Sequence, residues 1–227
     1  MSDSTIKIVI AFAVLLISVI IHEICHAASA YALGDPTGKE DGRLSLNPIR
    51  HIDFFNTILL PIITLTAMGF AFGGAKPVRI NPFNFRNPSL GMALTALAGP
   101  VSNIILAVLG FAMLFGIYSV APNLVQPQSY NAFFFGSVIF INLLLAVFNL
   151  IPIPPLDGSR VLRYFLPSSM KSVMDMVEPF GLFALIFLIR GGGTVTILQP
   201  FLTNTARFMA TVFSPDYTIT LLNNIYG

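Results

Sequence analysis

Charge is what this sequence lacks most. Of 227 residues only 10% are Asp, Glu, Lys or Arg, while 55% are apolar and the mean hydropathy is +0.81. A typical soluble domain carries roughly 25% charged residues, so this chain could not cover a water-facing surface, and it is far too apolar to remain disordered. Cysteine is nearly absent: Cys25 stands alone, which excludes an internal disulfide framework and a Cys-rich zinc module. The 17 glycines and 16 prolines follow no short period, which excludes a fibrous chain. A net charge of +2, with the basic residues dispersed over loops, gives no footing for nucleic acid. An integral membrane protein, with the lipid bilayer as its partner, is what remains.

Between Arg86 and Asp157 lie 70 residues without Asp, Glu, Lys, Arg or His. Two spans fit in that run, about Leu90–Tyr118 and Ala132–Leu150, each near the ~20 apolar residues a bilayer requires. Ile6–Leu33 forms another, closed by Gly34-Asp35-Pro36. Asn56–Phe72 is apolar but short, Met176–Ile189 is a further apolar segment, and Thr194–Phe213 crosses or lies in the interface. The expected fold is an all-α membrane bundle of about five to six helices, with one re-entrant segment and short β-strands after the first helix. It is expected to form one domain over residues 1–227, with a core at about 6–165 and a helical pair at about 176–213. The N-terminus does not read as a signal peptide, because Asp3 precedes Lys7 and the helix carries ionisable groups in its middle.

Loop charge sets an orientation. Nine of the twelve basic residues fall in three loops, 34–53, 73–89 and 151–177, and the turn at 119–131 has none. Cytosolic loops are enriched in Lys and Arg, so these three are expected on the cytosolic side of the cell membrane. Residues 56–72 then dip into the membrane and return, which is tolerable where protein or water covers the backbone.

Inside the first helix stands His22-Glu23-Ile24-Cys25-His26. Helical positions i and i+4 share a face, so both imidazoles can bind one metal, and Glu23 is placed to take a proton from an attacking water. HExxH by itself is short, but here each ionisable group costs roughly 2.5–3.5 kcal/mol in a membrane helix, and three within five residues are an expensive accident. The bland reading is a polar patch where the helix meets solvent or a neighbour. Cys25 lies about 100° round the helix from His26 and reads as a small buried residue, not a ligand. Two imidazoles leave a third ligand to find. Asp157 ends the uncharged run, just after Asn149 and a helix broken by Pro152, Pro154 and Pro155. With 56–72 re-entrant, both halves of the site fall on the cytosolic side.

These residues resemble the site-2 protease family of intramembrane zinc metalloproteases, in its compact prokaryotic branch without PDZ or CBS modules. The resemblance rests on His22-Glu23-Ile-Cys-His26, Gly99-Pro100-Val-Ser-Asn103 and Asn149 through Leu156-Asp157-Gly158, in that order. It is supported by Gly34-Asp35-Pro36-Thr37, Gly42-Arg43-Leu-Ser-Leu-Asn47-Pro48 and Gly73-Gly74-Ala75-Lys76-Pro77-Val78, and covers about residues 8–165. It implies one zinc ion per chain on His22, His26 and Asp157, with Glu23 as general base and Asn149 orienting substrate or stabilising the oxyanion. Asn103, Gly73 and Gly74 are candidate substrate contacts, and the implied substrates are other membrane-spanning proteins. Extended stretches near 43–46 and 76–80 could pair with an unwound substrate. The chain departs from the family at Cys25, where members often have Gly.

Two rivals stand beside this reading. One is an inactive relative that binds membrane segments, against which an intact buried Glu23 argues. The other is an ion transporter, which calls for more acids along the membrane path than Glu23 and Asp157. His51, in the loop, could sit over the site as a supporting donor or gate, but a lone loop histidine reads more readily as solvated or capping a segment. Asn103 and Asn142 within apolar spans suit hydrogen bonds between helices, and Phe133-Phe134-Phe135 suits an interfacial aromatic belt.

Overall fold

The structure is a computed structural model that describes residues 2–68, 73–126 and 128–190. Among the described residues three helices are long and apolar enough to cross a membrane: α1 (Asp3–Ala32), α4 (Pro88–Val120) and α5 (Tyr130–Asn149). The shorter helices are α2 (Thr37–Glu40), α3 (Leu60–Met68), α6 (Asp157–Phe165), α7 (Ser168–Val177) and α8 (Gly181–Arg190).

Each long helix starts where its sequence offers a cap. The side chains of Ser2, Asn87 and Ser129 accept from the backbone N–H groups of Thr5, Leu90 and Ala132, satisfying donors that have no partner within the helix. Beyond α1, Gly34 takes φ +109°, a left-handed conformation that L side chains rarely adopt, and turns the chain out of the helix.

Packing follows from side-chain size. On α1, the buried residues Val14, Ser18, His22, His26 and Ala30 recur every four positions and form one inward stripe. On α4 the buried face is small, with Gly91, Ala96, Gly99, Ala107 and Gly110, which allows close backbone approach. Large apolar side chains, among them Phe12, Val108 and Met113, point outward and are more than half exposed, as lipid-facing residues should be. Contacts give the directions. His26 meets Thr95 and His22 meets Asn103, so α1 and α4 run antiparallel. Asn103 meets Asn142 and Gly110 meets Val138, so α4 and α5 are also antiparallel.

Residues 33–68 and 73–87 form a cap tied together by two buried charged side chains. Asp35 is fully buried, and its carboxylate accepts from the Thr37 hydroxyl, the Asn84 amide and the backbone N–H of Thr37 and Asn81. Burial acts to raise its pKa, but these hydrogen bonds outweigh it and hold the carboxyl below its ordinary value. Arg43, equally buried, donates to the carbonyls of Arg50 and Pro77. A π-helical turn at Phe54–Leu59 leads into α3, and two hydrogen bonds join its start to Gly74: Gly74 N–H to Asn56 O and Thr57 Oγ1 to Gly74 O.

Three sequence expectations change here. No β-strand forms among the described residues: 43–46 and 73–80 take no regular secondary structure. Their cross-chain backbone bonds are isolated, such as Lys76 N–H to His51 O, and Pro77 has no N–H with which to continue a ladder. The Met176–Ile189 segment is not one helix, because Glu178–Phe180 forms a 3-10 turn around Pro179 between α7 and α8. His51 is not solvated; it is buried and donates through Nε2 to Ser45 O. Three long apolar helices lie among the described residues, and Thr194–Phe213 lies outside them.

Candidate metal centre

The antiparallel contact of α1 with α4, and the arrival of α6 beside them, bring His22, His26 and Asp157 to one point. His22 Nε2 lies 3.2 Å and His26 Nε2 3.3 Å from Asp157 Oδ2, and the two Nε2 atoms are 3.0 Å apart. Both histidines are buried and Asp157 nearly so. Asp157 is the first residue of α6, and the turn that delivers it needs Gly158: a Cβ there would sit 2.2 Å from Leu150 O.

The surrounding hydrogen bonds fix where the imidazole protons are. His26 Nδ1 is 2.7 Å from Thr95 O, a carbonyl that can only accept, so the proton of the neutral ring is on Nδ1. For His22 the assignment passes through three residues. Val138 O can only accept, so the Asn142 nitrogen donates to it and Asn142 Oδ1 is the acceptor for Asn103 Nδ2. Asn103 Oδ1 must then be the group facing His22 Nδ1, at 2.6 Å, and that nitrogen too carries its proton. Both Nε2 lone pairs therefore point at Asp157 Oδ2, a buried oxygen without a hydrogen-bond partner.

With both rings neutral, three buried acceptor atoms converge here and repel one another unless a cation, a metal ion or a proton, sits among them. Two neutral imidazoles and one carboxylate are a donor set that suits zinc and leaves a fourth position open. The residues present fit the metal. Among the described residues this is the one such cluster of His, Cys, Asp or Glu, and Cys25 does not join it.

Beside the cluster lies a cavity of about 460 Å³. Glu23 and Asn149 line it, and so does Arg160. Asn149 Nδ2 donates to Leu145 O within its own helix and keeps one further N–H for a cavity occupant. Gly73 and Gly74 line it as well, and a Cβ on Gly73 would stand 2.4 Å from Pro61 Cγ and 2.6 Å from Asn56 O. Asn103 corrects its expected role. It is fully buried and does not line the cavity, and its contact with His22 makes it an orienting residue instead of a substrate contact.

Sequence reading missed three participants. Thr95 acts through its backbone carbonyl, which no side-chain pattern reveals. Asn142 was visible as a polar residue in an apolar span, but its link through Asn103 to His22 was not. Gly99 contributes space: a Cβ there would be 2.5 Å from His22 Cε1 and from His26 Nε2.

The profile described as Peptidase family M50 matches residues 115–189, a stretch that includes Asn149 and Asp157 but not the histidine helix. YwhC of Bacillus subtilis, whose name classes it as a zinc metalloprotease, is 39% identical over 176 residues, covering 77% of this chain and 76% of its own. Rip2 of Mycolicibacterium smegmatis, named in the same way, is 28% identical over 178 residues, covering 77% of this chain and 64% of its own. No solved structure matches.

Proposed function

The chain belongs to the site-2 protease family, peptidase family M50, and from that premise we propose that it is a zinc-dependent endopeptidase cutting membrane-spanning proteins within or beside the bilayer. The observation that carries this reading is the convergence of two imidazole nitrogens and one carboxylate oxygen, all on buried or nearly buried side chains, on one wall of a cavity that Glu23 also lines.

His22, His26 and Asp157 would hold one zinc ion per chain, with Asn103 and Thr95 O orienting the two imidazoles from behind. Zinc bound there supplies Lewis-acid activation of water and of the scissile carbonyl. The Glu23 carboxylate accepts the proton of the attacking water and returns it to the leaving amine. The free N–H of Asn149 is directed to the carbonyl oxygen as negative charge develops on it. A helical substrate conceals its amides and must unwind before it can enter. The wall at 73–80 lies along the cavity, and we propose that an unwound substrate segment is held against it.

The site end of the bundle is assigned to the cytosolic side of the cell membrane. Support comes from the nine basic residues in three loops and from the antiparallel α1 and α4, whose opposite directions require an even number of crossings between them. The hydrogen bonds between Asn56, Thr57 and Gly74 support a segment that enters and returns.

The test uses the purified chain in vesicles with a tagged single-span substrate. Cleavage should map within or next to the substrate's span, stop with a zinc chelator and resume with added zinc. In the same vesicles, Lys76→Cys should resist an impermeant thiol reagent applied from the outside. Chelator-resistant cleavage overturns the metal reading, and outside labelling overturns the orientation.

A further inference from the structure

On the cap, away from the metal ligands, Arg43, Arg50, Lys76 and Arg79 line a second cleft of about 530 Å³ together with a single acid, Asp41. Asp41 is taken: Arg79 holds both its oxygens, through Nε at 2.7 Å and through a second contact from Nη2. That fork, together with the positive charge of Arg43 and Lys76, holds the Asp41 carboxyl below its ordinary value, so one anion serves several cations. Arg43, Arg50 and Lys76 have no carboxylate partner among the described residues. Arg43 is 2% exposed and bonds carbonyls only, and a buried guanidinium without a counter-anion is costly. The cleft has an excess of positive charge that the protein does not neutralise.

Its other walls are apolar and outward-facing. Ile49 is 75% and Ile52 44% exposed on the same cleft, and Phe54 and Phe55 follow them, both more than half exposed. A soluble anion has no use for such a rim. A molecule with an anionic head and hydrocarbon tails matches both parts, the head among the cations and the tails along the isoleucines. We propose that this cleft binds the phosphate headgroup of an anionic phospholipid. The location ties the ligand to the larger cavity. Lys76 belongs to the 73–78 segment, from which Gly73, Gly74, Ala75, Pro77 and Val78 line the cavity beside Glu23, so a bound headgroup pins that wall from its outer side. The inference rests on membrane embedding and not on proteolysis.

The experiment is native mass spectrometry of the full chain in detergent, titrated with phosphatidylglycerol or phosphatidylcholine. Arg50→Gln/Lys76→Gln is compared with wild type, and both side chains are exposed, so the fold should tolerate the change. Wild type should retain phosphatidylglycerol in preference to phosphatidylcholine. At roughly five-fold per cation near a membrane surface, the double variant should lose about 25-fold in affinity. The charge-preserving Arg50→Lys/Lys76→Arg should keep the preference, which separates loss of charge from loss of fold. Equal retention of the two lipids by wild type overturns the proposal. Displacement of phosphatidylglycerol by inorganic phosphate, with chloride at equal ionic strength as control, also overturns it and reassigns the cleft to a soluble anion. Unchanged lipid retention in the Gln variant, with altered cleavage of a substrate bearing an acidic flank, overturns it in favour of a peptide site.

Discussion

Glu23→Gln should abolish peptide-bond cleavage and leave the metal in place. Glutamine has the shape of glutamate but cannot accept the proton of an attacking water at neutral pH. Positioned general acid–base catalysis is worth about 10²–10⁴-fold, so cleavage should fall by about three orders of magnitude. The converging ligand atoms belong to His22, His26 and Asp157, and Glu23 only shares the cavity. Zinc content and thermal stability should therefore match wild type. Cleavage within ten-fold of wild type would remove Glu23 as the base. Loss of zinc in this variant would mean that Glu23 helps to hold the metal.

The second large effect comes from the smallest change. Gly99→Ala adds one methyl group that ordinary packing would place at least 3.4 Å from its neighbours, yet here it meets both imidazoles at 2.5–2.6 Å. The rings cannot retreat, because Asn103 and Thr95 O hold their far nitrogens. Either the ligand triangle opens or α1 moves off α4. Displacing a site by about 1 Å can cost ~100-fold in rate, and disturbing the groups that orient ligands costs about 10–100-fold in metal affinity. Zinc retained per chain after dialysis against a competing chelator, with circular dichroism to confirm the helices, checks this. Wild-type affinity with wild-type cleavage would show that the rings have room the structure does not give them.

How far the sequence spoke depended on the kind of signal. His22, Glu23, His26 and Asp157 were legible because ionisable groups are rare in this chain, and a rare group in an apolar helix needs a reason. The three long helices were legible from their apolar runs. What could not be read was whatever depends on partners far along the chain. Gly99 matters for an atom it lacks, and only the approach of α1 gives that absence a meaning. Asn103 was recognisable as special, but its partner, 81 positions away, decided between orienting a ligand and touching substrate. The strands expected at 43–46 and 76–80 failed for a local reason visible in hindsight, since Pro77 interrupts any ladder. His51 looked like a solvated or capping loop residue, and the carbonyl of Ser45 drew it inside.

The measurement that bears most directly on this account is the zinc content of the purified protein in detergent, set beside that of Asp157→Ala. Wild type should carry close to one zinc per chain and the variant far less, because removing the carboxylate takes away one of three ligands and leaves two imidazoles facing a void. Absence of zinc from wild type after metal-sparing purification and zinc add-back, or equal zinc in both proteins, would contradict the three-ligand centre on which the proposed chemistry depends.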